Sequence, residues 1–296
     1  RSISIGGNSV REHFHPATDF SSMLTSEQGP ETCNTYNMLR LTKMLYQTSG
    51  EVSYMDYYER ALYNHILSTI NPIQGGFVYF TPMRSGHYRV YSQPQTSFWC
   101  CVGSGMENHA RYGEMIYGHK DKNLYVNLFI PSTLDWNGTM IEQQTAFPEE
   151  EGTTLVVSPE KGKKAFAMHV RIPEWADKSS VRLSVNGEPQ NLDIKDGYAV
   201  VNRTWKKGDK LHVAMPMHLY TLGLPDGSSN YSIMYGPIVL ASSLGKQQQD
   251  GMYADDSRGG HIANGPRWSL QNMPVIVGDK DKVIEKQIIK ESTKVG

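Results

Sequence analysis

No apolar run in this chain of 296 residues reaches the ~18–20 residues that a membrane-spanning helix requires, so no part of it is expected to enter a bilayer. An excess of one charge is missing too. The 29 Lys and Arg stand against 30 Asp and Glu, for a net charge of -1. That balance supplies no long-range pull toward nucleic acid or an anionic membrane. Cysteine is scarce, and Cys33, Cys100 and Cys101 cannot all pair within the chain, which argues against a disulfide framework. Two of the three are adjacent, where a bridge would be strained. Metal binding, a reactive thiol or inert burial remain. No Cys-x-x-Cys pair is present, so no zinc finger is written here. An initiator Met and a signal-peptide pattern are also lacking at Arg1-Ser2-Ile3-Ser4-Ile5. The chain is read as a portion of a longer one, with any targeting segment upstream and the compartment, periplasmic or cytoplasmic, left open.

What the chain does have is Tyr and Trp, 17 and 5 of them, whose flat faces and polar tips suit sugar rings as well as ordinary cores. Its length allows two or three domains. The first 120 residues or so read as helical. Ser53 followed by Asp56 resembles a capping box, and Met55, Tyr58, Leu62, Ile66 and Ile70 recur on one face. Pro30 fits the first turn of another helix, continued by Met38, Leu41, Met44 and Leu45 and stopped at Gly50. A third is expected from near Gly103 to Tyr117. Between them, Gly75–Phe80 and His87–Tyr91 read as short strands or a structured loop.

From about Asn123 the period changes to two. Strands are expected at Leu124–Ile130, Thr153–Val157, Ala165–Ile172, Val181–Val185, Tyr198–Val201 and Lys210–Met215. Asn137-Gly138, Asn186-Gly187 and Asp196-Gly197 supply turns between them. Regular short strands of this kind predict a β-sandwich. A further strand run at Tyr231–Ser242 opens another β domain that the chain does not complete. Helices come first and strands second, and three helices cannot close a toroid.

The chemistry rests on Glu31-Thr32-Cys33 and Cys100-Cys101. Three thiols and a carboxylate are ligands that zinc accepts. Residues two apart on a regular helix point about 200° from each other, so Glu31 and Cys33 share a metal more readily if helix begins at or after Cys33. Cys100-Cys101 are expected just before the next helix, whose N-terminus would lower the thiol pKa. Taken alone, these residue types leave inert burial open.

Glu31-Thr32-Cys33, Glu59-Arg60-Ala61-Leu62-Tyr63-Asn64, Cys100-Cys101 and Tyr235-Gly236-Pro237-Ile238-Val239-Leu240-Ala241, in that order, resemble glycoside hydrolase family 127 and its relative family 146. The start, Gly6-Gly7-Asn8-Ser9-Val10-Arg11-Glu12-His13-Phe14, is nearer the second. The resemblance covers nearly the whole chain. It implies a multidomain α-then-β protein: 1–120 as the C-terminal part of an (α/α)6 catalytic barrel, 121–222 as a β-sandwich, and 223–296 as the start of a second, incomplete one. It implies a retaining β-L-arabinofuranosidase acting through a thioglycosyl-enzyme on a zinc-bound cysteine. The zinc ligands would be Glu31, Cys33, Cys100 and Cys101, with Cys100 as nucleophile and Glu12 as acid/base. The separation of Glu12 from Glu31 implies a short insertion around Phe20 to Glu27. Glu59, Tyr79 and His13 are candidate substrate contacts, and His15 and His87 are weaker ones. The implied partner is a plant-derived arabinose-containing glycan or glycopeptide, with no nucleic acid and no membrane insertion, and a homodimer stays open. With part of the barrel absent, the segment alone is expected to bind zinc weakly and hydrolyse little.

Two other classes are carried beside this one. A polysaccharide lyase would work through Tyr88, Arg89 and His87 and has no use for the Glu-x-Cys and Cys-Cys pairing. A non-catalytic carbohydrate-binding protein would keep zinc as a structural ion and show no turnover.

Overall fold

The computed structural model describes residues 2–242, 254–255, 257, 259–265, 267–273 and 276–289. The chain divides into two compact units. The first draws on Arg1–Leu45, Tyr57–Arg111 and Leu219–Ile288, and the second chiefly on Tyr46–Asp56 and Tyr112–His218. Among the described residues no helix is long and apolar enough to cross a membrane.

The chain opens with a hairpin of β1 (Ser9–Val10) and β2 (His13–Phe14), paired Ser9 to Phe14 and Val10 to His13. The two linking residues, Arg11 and Glu12, both have positive φ, 51° and 67°. Two left-handed residues make the turn whose twist matches a two-residue hairpin. That position favours Gly or Asn, so two side chains there store backbone strain. The stretch read as an insertion carries the short helix α1 (Ser21–Thr25), which seats Phe20 and Met23 in a core with Ile3, Ile5 and Val10.

Helix α2 (Thr32–Ser49) begins one residue earlier than expected, because Glu31 keeps a β-bridge to Phe80 while the Thr32 amide and hydroxyl bond the Tyr79 and Val78 carbonyls. Gly50 ends it at φ 72°, its N–H reaching the Tyr46 carbonyl at 2.7 Å. Leu41, Met44 and Leu45 are 45%, 63% and 39% exposed, and the buried side carries Thr35, Tyr36, Leu39, Thr42 and Tyr46. Threonine reads as polar in a sequence, yet it packs closely once its hydroxyl is satisfied, as Thr42 shows by donating to the Met38 carbonyl at 2.7 Å.

Helix α3 (Ser53–Asn64) buries Met55, Tyr58 and Leu62 as its period predicts, and Ile66 follows in a single 3-10 turn. The capping box does not form. The Ser53 hydroxyl donates to the Glu51 carboxylate, and Asp56 accepts from Arg171 instead. Residues 75–80 and 87–91 make isolated bridges, including Ile70 to Phe77 and Val78 to Tyr91, so this stretch is a structured loop. Helix α4 (Cys100–Ala110) starts three residues before the expected Gly103 and gives way to a 3-10 turn at Tyr112–Met115.

The second unit holds β3 (Tyr117–Lys120), β4 (Asn123–Val126), β5 (Ser132–Asp135), β6 (Thr139–Gln144), β7 (Gly152–Pro159), β8 (Lys163–Arg171), β9 (Arg182–Val185), β10 (Glu188–Pro189), β11 (Ile194–Lys195), β12 (Tyr198–Lys206) and β13 (Asp209–Ala214). They form a six-stranded sheet, β10-β9-β13-β7-β6-β5, and a five-stranded one, β11-β12-β8-β4-β3. The expected Leu124–Ile130 strand stops at Val126, and its parallel partner is β8. The three Asn-Gly and Asp-Gly turns have positive φ at both residues, the conformation their chemistry favours. Alternation buries Ile141, Leu155, Val157, Leu211 and Val213 on one sheet, and Leu124, Val126, Met168, Val170 and Trp205 on the other. A polar knot sits within this unit. The Tyr46 and Tyr198 hydroxyls converge on Asn127 Oδ1, and the fully buried Arg171 donates to the Asn127 carbonyl at 2.7 Å and to Asp56 at 2.6 Å.

The chain then returns to the first unit. A three-stranded sheet of β14 (Leu219–Gly223), β15 (Tyr231–Tyr235) and β16 (Ile238–Val239) replaces the single strand expected over 231–242, which breaks at Gly236 with φ 54°. Asn64 clamps it, donating to the Pro237 carbonyl and accepting from the Val239 amide, both at 2.8 Å. Helix α5 (Lys280–Gln287), capped by Asp279, was not foreseen by the strand pattern. The rest of the expected second β domain, at 243–253 and from 290 onward, lies outside the described residues.

His65 is fully buried at the end of α3, with Nδ1 on the Thr35 hydroxyl at 2.8 Å. Burial, and secondarily the charge of Arg89, pushes its pKa from 6.5 down to about 3. Between those values the unfolded chain takes up the proton and the folded chain does not, so stability is lost as pH falls from 6.5 toward 3. Urea unfolding across that range should show a shallower loss for His65→Asn than for the parent chain.

Candidate metal centre

Two helix starts build the centre. Glu31 stands in the bridge just before α2 and Cys33 in its first turn, while Cys100 and Cys101 are the first two residues of α4. The early start of α2 does not separate Glu31 from Cys33, because Glu31 itself stays outside the helix. The Cys pair lies inside α4, not before it, a correction to the sequence reading. Trp99 enters in an extended conformation (φ -102°, ψ 157°) and turns both side chains onto the cluster.

The donor atoms converge. Cys101 Sγ lies 3.2 Å from Cys33 Sγ, 4.0 Å from Cys100 Sγ and 3.8 Å from Glu31 Oε1, and Cys100 Sγ lies 3.9 Å from Glu31 Oε1. All four fall within 4.8 Å of one another. Zinc–sulfur bonds of about 2.3 Å in a tetrahedron give ligand separations of roughly 3.8 Å, so the spacing fits that ion. Three sulfurs and one carboxylate are also a zinc donor set.

Electrostatics set Cys33 apart from the other three residues of the cluster. Burial first, then the proximity of Cys33 and Glu12, raises Glu31 to about 7. Cys33 falls to about 6, chiefly because the Cys101 thiol donates to it. Cys101 moves strongly upward, since it holds the shared proton and is buried. Cys100 is raised by desolvation. At the Cys pair the leading causes are desolvation for Cys100 and the hydrogen bond to Cys33 for Cys101. The first thiolate forms on Cys33, and a cation would be needed to hold several.

Tyr79 joins this cluster to the hairpin. Its hydroxyl donates to Glu12 Oε1 and lies 3.6 Å from Cys100 Sγ. Burial and the bond to Glu12 raise its pKa, which keeps it a proton donor. Of the residues singled out from sequence, Glu12, Glu31, Cys33, Tyr79, Cys100 and Cys101 come together. Glu59 is buried in α3, outside the group of four ligand atoms. His13 lies exposed on β2. His15 uses Nδ1 on the Pro16 and Asp19 carbonyls, and its ring meets Phe20. The trio considered for a lyase has structural contacts: Tyr88 accepts from the Gly265 amide, Arg89 donates to the Ser68 carbonyl, and His87 packs edge-on against Tyr88.

Sequence reasoning missed Ser104, whose Oγ sits 3.1 Å from Cys33 Sγ. One helical turn after Cys100-Cys101, it was legible from spacing. It also missed Trp99 and His261, which pack around the Tyr79 ring. Nothing in the sequence near position 261 points back to residue 79.

Comparison with known proteins follows the same division of the chain. Residues 1–114 match a family model described as the catalytic domain of GH127 β-L-arabinofuranosidase, and 123–217 match its middle domain. Residues 220–295 match a domain of unknown function. No curated protein matches. Among solved structures, a GH127 β-L-arabinofuranosidase from Geobacillus stearothermophilus T6 superposes with a TM-score of 0.65 at 24% identity, over 81% of this chain and 40% of that one. A second, titled a GH127 β-arabinofuranosidase, gives 0.64 at 26% identity over 81% and 41%. A third, titled a glycoside hydrolase, gives 0.64 at 25% over 80% and 44%. The chain thus spans less than half the length of these relatives. By two adjoining sequence models the chain resembles the catalytic domain and then the middle domain of GH127 β-L-arabinofuranosidase, and its fold is similar to solved members of that family.

Proposed function

We propose that the protein is a retaining glycoside hydrolase that releases L-arabinofuranose from β-L-arabinofuranosides, with Cys100 as nucleophile and Glu12 as acid/base. One observation carries the reading: a single tyrosine hydroxyl, that of Tyr79, touches both the carboxylate of Glu12 and the most exposed sulfur of a four-ligand cluster. In this reading 1–120 is the C-terminal part of an (α/α)6 barrel, 121–222 a β-sandwich, and 223–296 the start of a second one.

Glu31, Cys33, Cys100 and Cys101 would hold zinc. The ion would supply the positive charge that keeps Cys100 ionised at neutral pH. The Cys100 sulfur attacks the anomeric carbon as the glycosidic C–O bond breaks and Glu12 gives its proton to the departing oxygen. Glu12 then takes a proton from water. The water oxygen attacks the same carbon, and the C–S bond breaks to free the sugar. Two displacements at one carbon retain its configuration, as in two-carboxylate retaining enzymes. Tyr79 steadies both partners by donating toward Glu12 and facing Cys100. The substrate is a plant-derived arabinose-containing glycan or glycopeptide, and the arabinofuranosyl unit is the glycone.

The test is turnover of a chromogenic β-L-arabinofuranoside by the complete protein, together with metal analysis. Turnover with zinc present and its loss on chelation support the reading. Full zinc occupancy without turnover would leave a carbohydrate-binding protein with a structural ion. Glu12→Gln should lower kcat about 10²–10⁴-fold on a poor leaving group and much less on 4-nitrophenolate, which departs without a proton. Zinc affinity should also follow Glu31. Below its pKa of about 7 a proton competes for the carboxylate, so competitive chelator titrations should show affinity rising as pH climbs through that value.

A further inference from the structure

The stretch after the three-stranded sheet belongs to the segment matched by a domain of unknown function, yet it lies against the metal centre. It runs beside the loop that carries Tyr88 and Tyr91. The Ala254 amide donates to the Tyr91 carbonyl at 2.8 Å, and Gln93 Nε2 returns to the Ala254 carbonyl at 2.9 Å. Further on, the Gly265 amide donates to the Tyr88 hydroxyl, and Ala263 packs with Tyr88 and Val90. Between these anchors a tight turn, closed by the Ile262 amide on the Gly259 carbonyl at 3.0 Å, projects two side chains at the site. Ile262 packs on the cluster of Tyr79, Phe80 and Cys101. The His261 ring lies 4.4 Å from the Tyr79 ring, 5.7 Å from Phe80 and 5.8 Å from Trp99.

We propose that the 259–265 turn is a wall of the sugar site and that His261 is a positioning residue for Tyr79. Its ring holds the Tyr79 ring at the angle that aims the hydroxyl between Glu12 and Cys100. Without that ring, the Tyr79 phenol, with Phe80 on one side and Trp99 farther off, can swing, and a hydroxyl that donates to Glu12 and accepts from Cys100 loses one of those contacts. The ring face does this work, so a phenyl ring should replace it. The proposal deepens the reading above and rests on it for its kinetic arm only.

The test compares the full chain with His261→Ala and His261→Phe. In the first arm, protein stripped with a chelator is treated with iodoacetamide, and modification of each cysteine is followed by peptide mass. Cys101, buried beneath the wall, should label slowly in the parent and in His261→Phe, and about tenfold faster in His261→Ala. Equal Cys101 labelling in all three overturns the wall. In the second arm, kcat on a chromogenic β-L-arabinofuranoside should fall about 100-fold in His261→Ala with a smaller change in KM, and stay near the parent in His261→Phe. A His261→Phe variant as impaired as His261→Ala would put the function in the ring nitrogens and overturn the positioning role. A parent protein that does not turn over the glycoside defeats the assigned reaction, and the labelling still decides the wall.

Discussion

Replacing Cys100 by Ser should lower kcat by about 10⁴–10⁶-fold and leave the fold intact. A hydroxyl has the position but neither the low pKa nor the nucleophilicity of a thiolate, and it is a poor zinc ligand. Cys100 is the exposed sulfur of the cluster, so its loss opens no cavity in the core. The comparison that gives the result its meaning is Cys101→Ser. That sulfur is buried, 3.2 Å from Cys33 Sγ and 3.8 Å from Glu31 Oε1, whereas the Cys100 sulfur lies 3.6 Å from the Tyr79 hydroxyl. Both variants should bind zinc less tightly. Excess zinc should restore part of the activity to Cys101→Ser by mass action. It should restore none to Cys100→Ser, whose defect is the missing bond to the anomeric carbon. Recovery of both on added zinc would reduce Cys100 to a ligand and remove the nucleophile assignment.

The largest expected effect on stability lies far from the sulfurs. Asp56→Ala should destabilise the second unit by about 3–5 kcal/mol, the cost of leaving a buried charge uncompensated. Arg171 is fully buried, its guanidinium donates to Asp56 at 2.6 Å, and its face covers Phe129 at 5.6 Å. Asp56 also accepts the Glu174 amide at 3.1 Å, so the substitution removes an acceptor that two donors share. Thermal unfolding of the variant should show a lowered transition. The double variant Asp56→Ala, Arg171→Met should recover much of the loss, because an apolar side chain of similar length needs no counter-charge. A single variant as stable as the parent would mean that water or another group neutralises the arginine.

Residue types alone left inert burial of the cysteines open, and the resemblance to glycoside hydrolase family 127 is what implied Glu31, Cys33, Cys100 and Cys101 as one ligand set. The structure brings their donor atoms together. The strands were legible for a different reason. Period-two burial and Asn-Gly turns are local, and each of the three dipeptides takes the backbone conformation its residues favour. What failed was non-local. The α2 stripe of Leu41, Met44 and Leu45 looked like a core face, yet the described chain buries the threonine side. Asp56 looked like a cap, but its partner is 115 positions away at Arg171. Desolvation of the Cys100 thiol depends on the folded surroundings and is not written in the sequence. His261 could not have been found at all, since only the path of the chain brings it to Tyr79.

The proton donor assigned to Glu12 rides on the two-residue tip of a hairpin whose strands are two residues each. In a ladder this short, register alone decides which side a residue faces, and one inserted residue turns the tip over. Length variation between Val10 and His13 should therefore act as an on–off control of the reaction rather than a graded one. Engineers seeking a wider mouth have more freedom beyond Phe14, where the chain can lengthen without rotating the carboxylate away from the sulfur it serves.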